Sequence, residues 1–150
     1  MRSASEEQGD MQEWCAFVNI KDIAERIRTQ DNRMTHNPIF IVQRKREVVG
    51  YENASIYKWY DCDWREITDP DEITRLDEAQ DNDDEAIADC RKLGVFEYWE
   101  FVTACFTEEG CKEYLRCNGH NHGETRIYVA SGYRNDEWEA VREHLKGIGE

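Results

Sequence analysis

The stretch VFEYWEFVTACF, residues 95–106, gives the clearest indication of the fold, because it carries the strongest β-strand pattern in the sequence. Aromatic and β-branched residues dominate it, and such residues favour strands. Successive side chains of a strand point to opposite faces. The expected faces are Phe96, Tyr98 and Glu100 on one side and Trp99, Phe101 and Thr103 on the other. We therefore place a strand of a β-sheet here and build the rest of the fold around it.

The residues that follow predict a helix, a strand and a second helix. Thr107 is suited to cap a helix N-terminus, and that helix is expected to run to about Cys117. A strand is expected over residues 126–131. Asn135 then caps the last helix, residues 137–145, in which apolar residues recur at helical spacing.

The residues before this stretch predict one helix and two further strands. Apolar residues recur at three- and four-residue spacing over residues 19–28, which indicates an amphipathic helix. Pro38 favours extended backbone at the start of the strand 38–43, whose two faces are both apolar, so this strand is expected in the centre of the sheet. Residues 44–53 have the composition of a polar turn, and residues 55–60 that of another strand.

The middle of the chain predicts little regular structure. Residues 67–84 are expected to form a loop with about one helical turn after Pro70, and residues 83–94 a short helix that ends at Gly94. The resulting order is α-β-β-α-β-α-β-α. It predicts an α+β fold, one domain over residues 1–150, with a mixed or antiparallel sheet of about four strands and helices packed on it. Residues 1–12 are expected to be frayed.

The charge of the chain is concentrated in one segment. The formal net charge is −14, and residues 61–89 hold 13 acidic and two basic residues, a net charge of −11. We expect this segment to be an acidic insertion in a nearly balanced domain. Such a distribution opposes direct binding to a nucleic-acid backbone or to an anionic membrane.

The amino terminus and the apolar runs indicate a cytoplasmic protein. MRSASEEQGDMQEW, residues 1–14, lacks the basic-then-apolar pattern of a signal peptide, and no run approaches the length needed to span a bilayer. We therefore expect the six cysteines to be reduced rather than to form a disulfide framework.

The acidic segment is the first candidate site. A run of this kind is either a solvated insertion or a surface that imitates a phosphate backbone and docks on a basic groove of a partner protein. Neighbouring aromatic residues would add the buried contacts that interfaces use. The expected contact residues are Trp59, Tyr60, Trp64, Asp81, Asp83, Asp84 and Glu85.

The turn between the last strand and the last helix is an alternative site for a small ligand such as a nucleotide. Such a turn can hold an anion on free backbone N–H groups, although Asp136 and Glu137 in the first helical turn oppose one. The residues concerned are Ser131, Tyr133, Arg134 and Asn135.

A third alternative is a zinc site in CKEYLRCNGHNHGE, residues 111–124. The spacing C-x5-C-x2-H-x-H differs from that of structural zinc sites. Convergence would need Cys117, His120 and His122 together with a ligand from elsewhere. We expect no cofactor. No nucleophile, P-loop or metalloprotease pattern is present, so nothing in the sequence favours catalysis.

Three segments resemble a family of small accessory proteins encoded by tailed bacteriophages and prophages. They are AERIRTQDNRMTHNPIFIVQ (24–43), YWEFVTACFTEEGCKEYLRCNGHN (98–121) and RIYVASGYRNDEWEAVREHL (126–145). The resemblance implies a phage product acting in the bacterial host cytoplasm, and no residue roles. By analogy it implies a protein that binds and blocks a host protein, including nucleic-acid-binding defence machinery.

Overall fold

The computed structural model describes residues 18–82 and 89–149, which contain four α-helices and four strands. The helices are α1 (Ile20–Thr29), α2 (Pro70–Asp81), α3 (Glu108–Asn118) and α4 (Asp136–Lys146). The strands are β1 (Pro38–Val49), β2 (Ile56–Tyr60), β3 (Arg91–Cys105) and β4 (Thr125–Ser131). The sheet is antiparallel with the order β2-β3-β1-β4. The prediction of an α+β fold with helices packed on one sheet is confirmed.

Two helices begin at the caps that the sequence predicts, Thr107 and Asn135, and α1 begins at a cap that was not predicted. Asn19 accepts a hydrogen bond from the backbone of Asp22 and forms a reciprocal capping box with it. Thr107 accepts from the backbone N–H of Gly110 at 3.0 Å. Asn135 does the same for α4. These caps satisfy N–H groups that a helix cannot pair internally.

The chain divides into two compact units, and the boundary falls within β1 and β3. The described part of the first unit is residues 18–45 and 99–149. Its core is centred on Phe40, Val42 and Cys111. Antiparallel pairing sets Phe40 opposite Val129 and Val42 opposite Ile127, so these side chains share the face on which the core forms.

Two arginines of α1 join elements of the first unit. Arg28 donates to the carbonyl oxygens of Lys146 and Ile148, both at 2.8 Å, and so caps the C-terminus of α4. Arg26 donates two hydrogen bonds to the carboxylate of Glu113, at 2.7 and 3.1 Å. A bidentate pair of this kind fixes α1 against α3 in one orientation.

The described part of the second unit is residues 46–82 and 89–98. Antiparallel pairing places Ile56 opposite Val95 and Tyr60 opposite Arg91. The buried side chains come from β2, α2 and β3, and they are Trp59, Tyr60, Leu76, Ala79 and Val95. This small core holds α2 in place.

The loop from β1 to β2 lies directly on Gly94. The backbone N–H groups of Gly50 and Tyr51 both donate to the carbonyl oxygen of Gly94, at 2.8 and 3.1 Å. A Cβ atom on Gly94 would lie 2.3 Å from the carbonyl oxygen of Tyr51 and 2.8 Å from the Cβ of Ala54. Glycine is therefore needed here for a close backbone approach.

Three local predictions for the middle of the chain are wrong. Residues 44–49 continue β1 instead of forming a turn, because they pair within the sheet. Gly94 lies inside β3 and does not end a helix. α2 has 12 residues where about one turn was expected. The expected fraying of residues 1–12 and the first part of the expected helix 83–94 lie outside the described residues.

Candidate protein-binding surface

α2 turns half of the acidic segment into an ordered helix. Asp69 caps its N-terminus by accepting from the backbone of Asp71, and Pro70 occupies the first helical position. Leu76 and Ala79 are buried beneath the helix. The carboxylates of the opposite face are therefore carried by a fixed scaffold.

Several acidic side chains of the segment are used inside the second unit. Asp61 accepts hydrogen bonds from the backbone of Asp63 and Arg65, at 2.9 and 3.0 Å, which closes a turn. Glu72 pairs with Arg75 along the helix. These carboxylates stabilise local structure and are not free to bind a partner.

Asp77 joins α2 to both β2 and β3. It accepts from the indole N–H of Trp59 and from the ammonium of Lys92, both at 2.8 Å. The hydrogen bond from Lys92, followed by that from Trp59, lowers the pKa of Asp77 below its ordinary value of 3.8. The charged form is thereby favoured in the folded state.

This lowered pKa predicts a pH-dependent contribution to stability. A carboxyl whose pKa is lower in the folded state stabilises the fold above its unfolded pKa, and the contribution is lost as the pH falls through the folded pKa. We expect Asp77→Asn to lower the melting temperature at neutral pH, and the difference from the wild type to shrink at about pH 3. Thermal unfolding followed by circular dichroism at both pH values measures it. Glu78→Gln is the matched control, and a difference that grows on acidification would contradict the assignment.

The acidic segment has exposed carboxylates on α2 and in the turn around Trp64. Among the described residues, no ion pair or side-chain hydrogen bond holds Asp63, Asp71, Glu78 or Asp81, and all four are exposed. Asp71 and Glu78 are two helical turns apart, which is roughly 10 Å along the axis. We call these four residues together with Trp64 the acidic surface.

Trp64 combines exposure with a strained backbone. Its side chain is 60% exposed, and its φ of 61° lies in the left-handed region that disfavours bulky residues. A backbone of this kind costs of order 1–3 kcal/mol and is concentrated at functional sites. The guanidinium of Arg91 lies 5.2 Å from the indole centroid, so the ring is held in place by a cation–π contact.

A hollow of about 210 Å³ lies beside Trp64, and Asp61, Asp89 and Arg91 also line it. Cys90 lies between Asp89 and Arg91 in the chain, and the pKa of its thiol is affected by charges of this turn and of α2. Burial first, and then the charge of Glu72, raises the pKa of Cys90, with a smaller contribution from Asp61. Charges on α2 and in the Trp64 turn therefore both act on this thiol.

The structure separates the predicted contact residues into three groups. Trp64 and Asp81 are exposed. Trp59 and Tyr60 are only 3% and 6% exposed, so both are buried and do not offer a surface to a partner. The remaining three, Asp83, Asp84 and Glu85, lie outside the described residues.

The 131–135 turn uses its N–H groups to hold itself together. The N–H of Tyr133 donates to the hydroxyl of Ser131, and the N–H of Asn135 donates to the carbonyl of Gly132. Asn135 accepts from the backbone of Trp138. Tyr133 and Arg134 are exposed and contact each other, with the guanidinium 5.1 Å from the ring centroid. The arrangement is that of a structural turn and does not favour an anion site.

The structure does not bring Cys117, His120 and His122 together as a metal site. Within the part of the chain that is described, no three His, Cys, Asp or Glu side chains are placed to hold a metal ion. His122 contacts the hydroxyl of Tyr114 at 3.1 Å. Cys117 is disulfide-bonded, which corrects the expectation of a reduced cysteine at this position. The four other described cysteines, Cys62, Cys90, Cys105 and Cys111, are free thiols.

A second exposed surface, in the first unit, was missed from the sequence. Phe101 is 61% exposed and Tyr128 47%, and the guanidinium of Arg126 lies 4.2 Å from the ring centroid of Trp99. The alternation in residues 95–106 places Trp99 and Phe101 on one face. Their exposure could be predicted only by knowing which face the helices cover.

Comparison of the chain with protein-family models, with curated proteins and with solved structures finds no match. Across residues 18–82 and 89–149, no helix has both the length and the apolar character needed to cross a membrane. What the chain binds must therefore be inferred from its own side chains.

Proposed function

We propose that this chain is a non-catalytic binding protein that docks on a basic surface of a partner protein through the acidic surface. The observation that carries the proposal is a set of unpaired carboxylates on an anchored helix, in the same unit as an exposed tryptophan in a strained conformation. The resemblance to phage accessory proteins supports a host protein as the partner, in the bacterial cytoplasm. Blocking of nucleic-acid-binding defence machinery is the biological role that we propose.

The carboxylates give the surface the character of a phosphate backbone. Lys and Arg side chains that bind phosphate oxygens also bind carboxylate oxygens, and Arg does so with two parallel hydrogen bonds. Asp71, Glu78 and Asp81 repeat along one helix, so their negative charges are held at defined separations. A partner with a row of basic residues is therefore favoured over a neutral one.

Trp64 supplies the apolar contact that carboxylates alone lack. Tryptophan is enriched among the interface residues that contribute most to affinity, and these residues sit within a ring of polar contacts. Here Asp61 and Asp89 line the hollow beside the indole, and the guanidinium of Arg91 contacts the ring. A partner that covers the ring would bury a large apolar area without much loss of side-chain freedom.

Affinity capture from a nuclease-treated lysate of a bacterial host tests this function. The variant is Glu78→Lys with Asp81→Lys, which reverses two exposed charges near the C-terminus of α2, where lysine is favoured by the helix dipole. The control is Glu25→Lys with Glu139→Lys, which makes the same charge change in the first unit. We expect a basic host protein to be captured by the wild type and the control and to be lost from the variant.

The other outcomes are equally informative. Capture of one protein by all three forms would keep the binding function but move it away from the acidic surface, and the face with Phe101 and Tyr128 would be the next to test. Capture of no basic protein by the wild type would contradict the proposed function.

A further inference from the structure

A cavity of about 380 Å³ in the first unit contains a free thiol. Cys105, at the end of β3, lines it together with Phe106 and Tyr114, and Arg26 and Glu113 form part of the wall. This volume lies within the range of small-molecule sites. The acidic surface lies in the second unit, so the proposed function does not use this cavity.

Cys105 lies beside a second thiol. Cys111, on α3, is fully buried, and Cys105 packs against the core cluster that contains it. Gly110 leaves room for this packing, because a Cβ atom there would lie 3.2 Å from the Cβ of Cys105 and 3.5 Å from its sulfur. The Thr107 cap fixes the first turn of α3, which includes Cys111.

The contact divides the roles of the two thiols. The hydrogen bond from Cys111 lowers the pKa of Cys105 to about 7, while burial and the charge of Glu113 act in the opposite direction. The same hydrogen bond, together with burial, raises the pKa of Cys111. Cys105, which lines the cavity, is therefore assigned as the nucleophile, and the fully buried Cys111 as its partner.

We propose that Cys105 is a reactive thiol that exchanges with small disulfides entering this cavity, and that Cys111 resolves the product. In the first step the Cys105 thiolate attacks one sulfur of a disulfide RSSR. A Cys105–SR bond forms, the S–S bond breaks, and RS⁻ leaves and takes a proton from solvent.

In the second step Cys111 loses its proton to solvent and attacks the sulfur of Cys105. The Cys105–SR bond breaks, and the second RS⁻ leaves and is protonated. Both effects of the Cys105 thiolate that raise the pKa of Cys111, its hydrogen bond and its charge, are absent in the mixed disulfide. The first step therefore activates Cys111 for the second. Overall, two protein thiols are oxidised to a disulfide and RSSR is reduced to two RSH.

Oxidised glutathione is the probe. The background protein is the full chain with Cys62→Ser and Cys90→Ser, and these two substitutions remove the other free thiols of the described residues. Trypsin cleaves after Lys92 and Lys112, so one peptide, residues 93–112, contains both cysteines of the pair and no other. We expect mass spectrometry to show this peptide two hydrogens lighter, without glutathione. Adding Cys111→Ala should instead leave one glutathione on Cys105.

A rate measurement separates this chemistry from slow, nonspecific oxidation. The rate of iodoacetamide labelling at Cys105 is expected to reach half its maximum near pH 7, and at a higher pH in Cys111→Ala. Cys105→Ser provides a second variant, and in it Cys111 must stay unmodified. Three outcomes would each overturn the proposal. They are no reaction in the background protein, a stable glutathione adduct on that protein, and modification of Cys111 in Cys105→Ser.

Discussion

Gly94→Ala is expected to lower the free energy of unfolding by about 3 kcal/mol, because over-packing against backbone cannot relax by a rotamer change. The new Cβ would lie 2.3 Å from the carbonyl oxygen of Tyr51. That carbonyl belongs to the loop whose N–H groups are bonded to Gly94 itself, so moving the loop away also breaks two hydrogen bonds. Equilibrium unfolding in urea measures the change.

Gly119→Ala is the matched control. Gly119 has a φ of −58°, and the nearest atoms to an added Cβ belong to Leu115, at 3.8 and 3.9 Å. Alanine fits such a position, so we expect a change within about 1 kcal/mol, in the stabilising direction. Equal stability of Gly94→Ala and Gly119→Ala would show that the loop does not lie on β3 as described.

Gly132→Ala is expected to cost a similar amount, about 3 kcal/mol, for a related steric reason. Its Cβ would lie 2.4 Å from the carbonyl oxygen of Asn37 and 2.7 Å from Cδ1 of Trp138. Trp138 cannot move aside freely, because its ring stacks on Phe106 with 4.2 Å between the centroids.

Unfolding in urea followed by tryptophan fluorescence measures the effect of Gly132→Ala, again beside Gly119→Ala. The near-ultraviolet circular dichroism of the folded variant should also change, because the environment of Trp138 is disturbed. A variant with wild-type stability and an unchanged near-ultraviolet spectrum would contradict the packing described around this turn.

The helix caps were predictable because they depend on a few neighbouring residues. Thr107 and Asn135 each satisfy the N–H group three residues ahead, and this chemistry is visible in the sequence. The apolar cores of β1 and β3 were predictable for the same reason, since alternation and residue type are local. The fold class followed from these elements.

The polar ends of the long strands were not predictable in this way. Residues 44–49 and Arg91–Leu93 carry charged side chains, and they are extended because pairing within the sheet supplies their hydrogen bonds. The length of α2 likewise depends on the burial of Leu76 and Ala79 against β2 and β3. Tertiary contacts of this kind override local propensity.

The candidate surface was only partly predictable. The concentration of acidic residues in 61–89 is a property of composition, and it could be read from the sequence alone. The burial of Trp59 and Tyr60 and the exposure of Trp64 depend on tertiary packing in the second unit. The left-handed backbone of Trp64 also has no sequence signal, because tryptophan is not a residue that this conformation favours.

The affinity for the captured partner shows whether the acidic surface is the binding surface. Isothermal titration calorimetry at low and at moderate salt measures this affinity for the wild type and for three variants. The variants are Trp64→Gly, the charge reversal at Glu78 and Asp81, and the control reversal at Glu25 and Glu139. Glycine removes the indole and also the backbone strain at this position, so stability should stay within about 1 kcal/mol of the wild type. A loss of affinity in this variant would therefore not reflect unfolding.

We predict that the affinity of the wild type falls steeply with salt, because exposed charges are screened over about 10 Å at 0.1 M. We also predict that Trp64→Gly and the α2 reversal each weaken binding about tenfold or more, while the control binds like the wild type. Equal, salt-insensitive affinity of all four proteins would contradict these predictions.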